Sequence, residues 1–401
     1  MYDKYHLTTL STIKHFGIDS GHTTVFELFF REPGPDNEPI KTAYIKPKVF
    51  NEIVRATIKQ ILDFHGDKNI RIKKIQVLGD DSNLPEIVNV EPRCPLVRVI
   101  GEGLDPIIFE SALLNVVQRE IIYQTRLLEI LKDREIMDVF KRISDFGFRR
   151  APGIDSANRF AELAVKFGLT SSNMNLFNKY PDKVIGTLPH AFIQYVSTID
   201  ADSTNIDRLI RSEVHVWIQL LKEGLTNVIL PDAHNFKKVV SSIVKSISTY
   251  NSLIKGFIIR IDSGDIIDNI RFVAQLSENY KLNIKCIISG DLNYRKLKRY
   301  ASLIKKEKLD KYIYGAAIGT QVVSNFKPLS IVYKLVQVDD KPITKFASSK
   351  GYDPGPQQVY VDQSGKVIKR NPLSLEESQN VNDVYTLIRR TFRKFATIVE
   401  F

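Results

Sequence analysis

A chain of 401 residues with 57 Lys and Arg against 46 Asp and Glu has a formal net charge of +11, and its 43% hydrophobic content excludes a disordered chain. The length predicts two or three domains, and the basic excess fits nucleic acid, a membrane surface or a phosphate-rich substrate, although the lysines are spread over helix faces as on a solvated surface. Cys94 and Cys286 stand far apart without metal-ligand spacing, which argues against a disulfide framework and a structural zinc site and points to a reducing compartment.

The opening MYDKYHLTTLSTIKHFG lacks the apolar region of a signal peptide, and no stretch approaches the roughly 20 apolar residues of a membrane span; a soluble, cytoplasmic protein is expected. TTVFELFFRE (23–32) reads as a strand, EPGPDNEP as a loop and KTAYIKP as a second strand, together a hairpin with a long Pro-rich connection. KVFNEIVRATIKQILDF (48–64) has helical period. RIKKIQVLG, PEIVNVEP and PLVRVIGEG (71–103) return to short strands, and a long helix runs from Pro106 to Lys132. This mixture has no βα rhythm and defines an N-terminal α+β domain over 1–135.

The rhythm begins at SDFGFRRAPGIDS (144–156), where a short strand ends in Arg149 and Arg150 and Asp155 or Ser156 caps the next helix. TSSNMNLF (170–177) reads as another strand end. KVIGTLPHAF (183–192) follows, with His190 just past its apolar part, and then a helix opened by Ser203. NVILPD (227–232), GFIIRIDSGD (256–265), IKCIISGD (284–291) and YIYGAAIGT (312–320) start roughly 28 residues apart, the length of one βα unit. The amphipathic stretches between them complete an α/β barrel or open sheet over 136–330, with ligands expected at the carboxyl ends of the strands. Beyond Val323 the pattern is antiparallel: IVYKLVQVDDKPITKF, then QQVYVDQSGKVIKR turning at Ser364-Gly365. A final helix, SLEESQNVNDVYTLIRRTFRKF, has Ser374 and Glu377 spaced as a capping box. The segment 331–401 is expected to pack on the N-terminal domain.

The strand ends hold Asp232, Asp262, Ser263, Gly264, Asp265, Ser289, Gly290, Asp291, Gly319 and Thr320. Gly290 and Gly319, with the Thr320 hydroxyl, suit a phosphate cradle, though Gly, Ser and Asp are also ordinary turn residues. Arg260 and Asp262 alternate in one strand and face the same way, as a structural ion pair or as ligand contacts. Adjacent Arg149 and Arg150 suit a carboxylate or phosphate, with one of the two facing away. His190 alone reads more readily as a hydrogen-bonded core histidine than as a catalyst. His6, His15, His22, His65, His215 and His234 show no ligand spacing and read as structural.

FGFRRAPGIDSANR, TSSN, GTLPH, RIDSGD, SGDL and GAAIGT, in this order and spacing, resemble the nicotinate phosphoribosyltransferases, type II phosphoribosyltransferases. DKYHLTTL and VFELFFRE extend the resemblance to the N-terminus. It implies an irregular α/β barrel with an N-terminal α+β sandwich domain completed by the C-terminal strands. It also implies transfer of a ribose phosphate from phosphoribosyl pyrophosphate to nicotinate, coupled to ATP through a phosphorylated histidine at the position of His190. Magnesium would be carried by phosphoribosyl pyrophosphate and ATP, with no protein metal site. The resemblance places Phe146 and Tyr5 around the pyridine ring, the tyrosine as Tyr5 of the partner subunit in a homodimer. Arg149 falls near the nicotinate carboxylate. Asp232, Arg260 and Asp262 fall around ribose and pyrophosphate, and Gly290, Asp291, Gly319 and Thr320 around the 5′-phosphate and ribose. Ser172 stands where the nicotinamide branch tends to carry an acidic residue, which favours the acid.

The chain departs from the family at Ala233-His234, where Thr-Tyr is frequent, and at Gln357, where a basic residue is common. Nicotinamide or quinolinate phosphoribosyltransferase remains the alternative within the fold. A basic nucleic-acid-binding protein without catalysis is the alternative from another class, weakened by the lack of a basic tail or recognition module.

Overall fold

The strand TTVFELFF is buried along nearly its whole length, so it needs partners on both edges and cover on both faces. A computed structural model supplies them. It describes residues 3–18, 21–31, 43–66, 70–200, 205–250, 254–324, 329–345 and 351–388. The chain forms two compact units, residues 1–125 with 327–401, and residues 126–326.

In the first unit Thr23–Phe30 lies between Ile331–Val338 and Val97–Glu102, antiparallel to both, in a five-stranded sheet edged by Lys341–Pro342 and Ile72–Val77. The expected hairpin is therefore not formed. Both edges of Thr23–Phe30 are taken, and Ala43–Ile45 pairs with Val88–Val90 instead. The helix Pro47–His65 buries Phe50, Val54, Ile58 and Ile61. Gln357–Val361 and Val367–Pro372 pair as expected around Gly365, which has a left-handed φ of 78°. The predicted final helix starts with its capping box at Ser374 and Glu377 but spans only Leu375–Asn380. Asp383 ends it: its carboxylate accepts from the N–H groups of Gly79, Asp81 and Tyr385, drawing Tyr385–Leu387 into parallel pairing with Gln357–Val361. Residues 389–395 of that predicted helix lie outside the described residues.

The second unit is built on six strands, β1 (Ile143–Asp145), β2 (Thr170–Ser171), β3 (Val228–Ile229), β4 (Gly256–Ile261), β5 (Asn283–Ile288) and β6 (Ile313–Ile318). All neighbours are parallel, in the order β3-β4-β5-β6-β1-β2. This is the cyclic order of a βα barrel, opened between β2 and β3. The longer helices that follow these strands are α1 (Ile154–Lys166), α2 (His190–Asp200), α3 (Ile206–Lys222), α4 (Phe236–Tyr250), α5 (Ile266–Tyr280) and α6 (Tyr294–Lys306). In α6, Leu297, Ala301 and Ile304 are buried while the lysines occupy the other faces.

Local expectations differ at several points. Arg149 and Arg150 lie on a 3-10 turn, Phe148–Arg150, rather than on the strand. The N-cap of α1 is Gly153, at a φ of 96° that neither Asp155 nor Ser156 would adopt without strain. Ser203 lies outside the described residues; Asn205 caps α3 by accepting from the Arg208 N–H. The apolar stretch before His190 contributes no strand, only an isolated bridge from Ser171 to Val184.

Two contacts at the sheet are stringent. A Cβ on Gly315 would meet the Arg142 carbonyl oxygen at 2.2 Å, because β6 runs against the backbone leading into β1. Asp145, at the end of β1, is buried, with one oxygen accepting from the Gly147 N–H and the other from the Ser171 hydroxyl, each at 2.7 Å. Burial pushes its carboxyl up to about 6 against the pull of those two donors.

Gly315→Ala should destabilise the protein by about 1–3 kcal/mol or prevent folding, read as a lower urea midpoint. Because folded Asp145 holds its proton more tightly than the unfolded carboxyl, its contribution to stability falls as pH rises from about 4 to 6. Asp145→Asn, whose amide can accept from Gly147 and donate to Ser171, should flatten that part of the stability–pH curve in urea titrations. An unchanged slope would mean Asp145 is not the titrating group.

Candidate active site

Parallel strands deliver their carboxyl ends to one edge of the sheet, where β4 contributes a charged cluster. Arg260 and Asp262 are two residues apart and lie on one side of the strand. Arg260 donates from Nη2 to Asp262 Oδ1 at 2.7 Å, from Nε to Ser289 Oγ at 3.1 Å and from Nη1 to Thr187 Oγ1 at 3.1 Å. Ser289 in turn donates to Asp262 Oδ1 at 2.5 Å. The guanidinium lies over the Phe146 ring, 5.3 Å from its centroid. Burial alone would raise the Asp262 carboxyl, but the Ser289 hydrogen bond and the Arg260 charge outweigh it and hold the group below the usual range. The two residues are a mutual ion pair in this state, with both side chains partly exposed.

A second cluster adjoins the first. His190, the first residue of α2, places Nε2 at 2.6 Å from Asp232 Oδ1, and Ser263 donates to Asp232 Oδ2 at 2.6 Å. Asp232 is 7% exposed and His190 36%. With Asp232 as carboxylate, Nε2 carries the proton, and Nδ1 is left as the basic, nucleophilic nitrogen of the ring. His190 is thus half-buried and bound to a strand-end carboxylate, not the core histidine its isolated sequence position suggested. When the ring is protonated, its charge also favours the ionised form of Asp262.

The remaining candidates border these clusters or lie elsewhere. Phe146 follows β1, its N–H bonded to the Ile318 carbonyl at 2.7 Å, and Ser172 follows β2 with its N–H on the Asp145 carbonyl at 2.9 Å. Arg149 and Arg150 are both exposed, so neither is turned into the core. After β5, Gly290 has φ of 90° and Asp291 φ of 49°. A Cβ on Gly290 would strike the Asp262 carbonyl oxygen at 2.7 Å, so only glycine fits beside β4. Gly319 precedes the four-residue helix Thr320–Val323 at the end of β6, facing the Phe146 carbonyl. Tyr5 belongs to the first unit, on the helix Lys4–His15, with its ring edge against His6. Sequence reasoning missed Thr187 and Asp145. Both lie in stretches read for other residues, Thr187 in GTLPH and Asp145 just ahead of FGFRR, and their roles come from hydrogen bonds across the fold.

The nicotinate phosphoribosyltransferase (NAPRTase) family model matches residues 141–371, more than half of the chain. The chain is 27% identical over 306 residues to a nicotinate phosphoribosyltransferase of Buchnera aphidicola, covering 72% of this chain and 69% of that one. It is 23% identical over 404 residues to that of Bacillus subtilis, covering 95% and 76%. The fold is similar to the crystal structure of nicotinate-nucleotide pyrophosphorylase from Pyrococcus furiosus, with TM-score 0.61 and 20% identity over 92% of this chain and 82% of that one. It is also similar to human nicotinic acid phosphoribosyltransferase, with TM-score 0.58 and 16% identity over 92% and 80%. With the matched segment holding every strand of the parallel sheet and both charged clusters, the chain belongs to the nicotinate phosphoribosyltransferase family.

Proposed function

We propose that this protein transfers the phosphoribosyl group of phosphoribosyl pyrophosphate to the ring nitrogen of nicotinate, releasing nicotinate mononucleotide and pyrophosphate, at the carboxyl edge of the parallel sheet. The observation that carries the reading is the joined pair of clusters, Arg260–Asp262–Ser289 beside His190–Asp232–Ser263. Breaking the bond between C1′ and pyrophosphate leaves positive charge on the ribose and adds negative charge to the leaving group. Arg260 meets the second need, and Asp232 and Asp262 favour the first. Phe146, against the Arg260 guanidinium, offers a flat face on which the pyridine ring is held in line for attack. Exposed Arg149 supplies a cation for the nicotinate carboxylate, and Ser172 adds no competing negative charge. Backbone N–H groups at Gly290, Asp291, Gly319 and Thr320 take the 5′-phosphate.

The carboxylates of Asp262 and Asp291 at this edge are oxygen donors of the kind magnesium accepts alongside substrate phosphates, and the ion would neutralise charge on the departing pyrophosphate. His190 Nδ1 accepts the γ-phosphoryl group of ATP, with ADP leaving. The phosphohistidine is hydrolysed later in the cycle, which couples ATP to transfer. Exposed apolar side chains beside the site, Phe148, Ile154, Met174 and Phe177, support a homodimer in which a second copy covers this edge and offers its own Tyr5. A barrel with an α+β sandwich is the finer architecture that accompanies this reading.

Pyrophosphate release is to be measured from phosphoribosyl pyrophosphate and magnesium with nicotinate, nicotinamide or quinolinate, each with and without ATP. Release with nicotinate, raised by ATP, is expected; release only with another acceptor would move the specificity and overturn the assignment. His190→Ala should keep basal transfer and lose its response to ATP. Arg260→Ala should lower kcat roughly 100-fold or more, the scale of losing a charge-stabilising donor.

A further inference from the structure

His234 follows Asp232 by two residues yet turns away from the clusters just described. Its Nδ1 lies 2.7 Å from Glu213 Oε2, and the second oxygen of Glu213 faces Trp217 Nε1 at 3.4 Å. Glu213, on α3, is 0% exposed and His234 is 10% exposed. Burial pushes the Glu213 carboxyl up, and the hydrogen bond and charge of His234 oppose that push. A polar pair this deeply buried is seldom worth more than apolar side chains of equal volume, so stability alone does not account for it. What it supplies is direction. It ties the turn after β3 to α3, while Asn235, one residue further, accepts from the Lys238 N–H and ties the same turn to α4. Asp232 sits just ahead of these two anchors and must meet His190 with one oxygen and Ser263 with the other, both at 2.6 Å. Two short contacts in divergent directions leave little tolerance for a displaced backbone.

We propose that Glu213 and His234 are positioning residues for Asp232: their buried contact holds the turn after β3 so that Asp232 engages His190 and Ser263 together. The proposal rests on the reading of Asp232 and His190 as parts of the transferase site. It gives a task to a histidine whose sequence context shows none, at a position where the family frequently has tyrosine.

The test compares Glu213→Gln, His234→Asn, the double variant and Val214→Ala in the full chain, with kcat and KM for phosphoribosyl pyrophosphate and nicotinate, and Tm for each. Val214 is buried on the same helix and takes no part in the pair. Each pair variant is expected to lower kcat roughly tenfold or more, with KM for nicotinate within about twofold. The double variant is expected to be no worse than the poorer single, because both break one contact. Val214→Ala is expected to lower Tm and leave kcat at the parent value. Unchanged kcat in the pair variants, multiplying losses in the double variant, or an equal kcat loss in Val214→Ala would overturn the proposal. If Glu213→Gln fails to fold, His234→Asn decides on the same criteria. Asp232→Asn is measured alongside. An Asp232→Asn enzyme with parental kcat sinks the site reading itself, whereas an impaired one beside unimpaired pair variants sinks only the positioning role.

Discussion

Carboxylates gathered at one edge of a parallel sheet repel one another, and the site depends on how that repulsion is managed. Asp145, Asp232 and Asp262 all stand at strand ends, and each is held by a different device. Asp145 is buried against two donors and leans towards its protonated form. Asp232 is balanced by His190 and Ser263. Asp262 is kept ionised by Ser289 and Arg260. The three environments give three different charge states or counter-charges within one edge. A substrate rich in phosphate can then approach without meeting three bare carboxylates, and Arg260 gives it a cation already oriented by three acceptors.

The first unit contains a charged network that looks similar on paper and has a different meaning. Arg98, fully buried, donates to Glu27 at 2.8 Å, to Gln76 at 2.9 Å and to the Gln357 carbonyl at 2.6 Å, while the Gln357 N–H returns to Glu27 at 3.0 Å. Arg98 and Glu27 are buried and bonded to each other and to neighbouring protein groups, in a place substrate cannot reach. It links three strands and the segment at Gln357, and removing either charge would strand the other in the core. The side chains of Arg260 and His190 are instead partly open to solvent. Exposure at a strand end, rather than charge or ion pairing, separates a site from a structural lock.

The parallel strands and their endings were legible because the fold there is local. A β-branched run, a Gly/Ser/Asp ending and an amphipathic helix repeat at one spacing, and Arg260 with Asp262 needs only the alternation of a strand to be placed on one side. The His190–Asp232 contact was not legible, since it joins residues 42 apart in sequence through a segment that is not a strand. Thr187 and Asp145 were missed for the same reason. In the N-terminal part, the hairpin expectation failed because strand neighbours were assigned by sequence order. Thr23–Phe30 takes its partners from residues 97–102 and 331–338, and no local pattern announces a partner three hundred residues away. The C-terminal helix was legible at its capping box and not at its end, because the stop is set by Asp383 binding Gly79 and Asp81 in a distant loop.

The opening between β2 and β3 gives the site two mechanical classes of residue. Arg260, Asp262 and Ser289 are borne by or directly follow β4 and β5, which pair in register from Asn283 with Gly256 to Ile288 with Ile261. Thr187 lies in residues 185–189, which form neither helix nor strand between the bridge at Val184 and α2, and His190 opens α2; Thr187 and His190 reach the strand ends through their side chains, on Arg260 and Asp232. Backbone with few buried contacts and few ladder hydrogen bonds opens at lower free energy than a sheet interior. The charges that would receive pyrophosphate are therefore fixed, while the histidine that would receive a phosphoryl group is on the part best able to shift. A phosphorylated His190 would place negative charge against Asp232 and must move or recruit a cation. Arg260, already bonded to Thr187 on that same segment at 3.1 Å, is the cation the geometry offers. Chemistry at His190 and binding at Arg260 would then be coupled through one short stretch of chain, with no rearrangement of the sheet required.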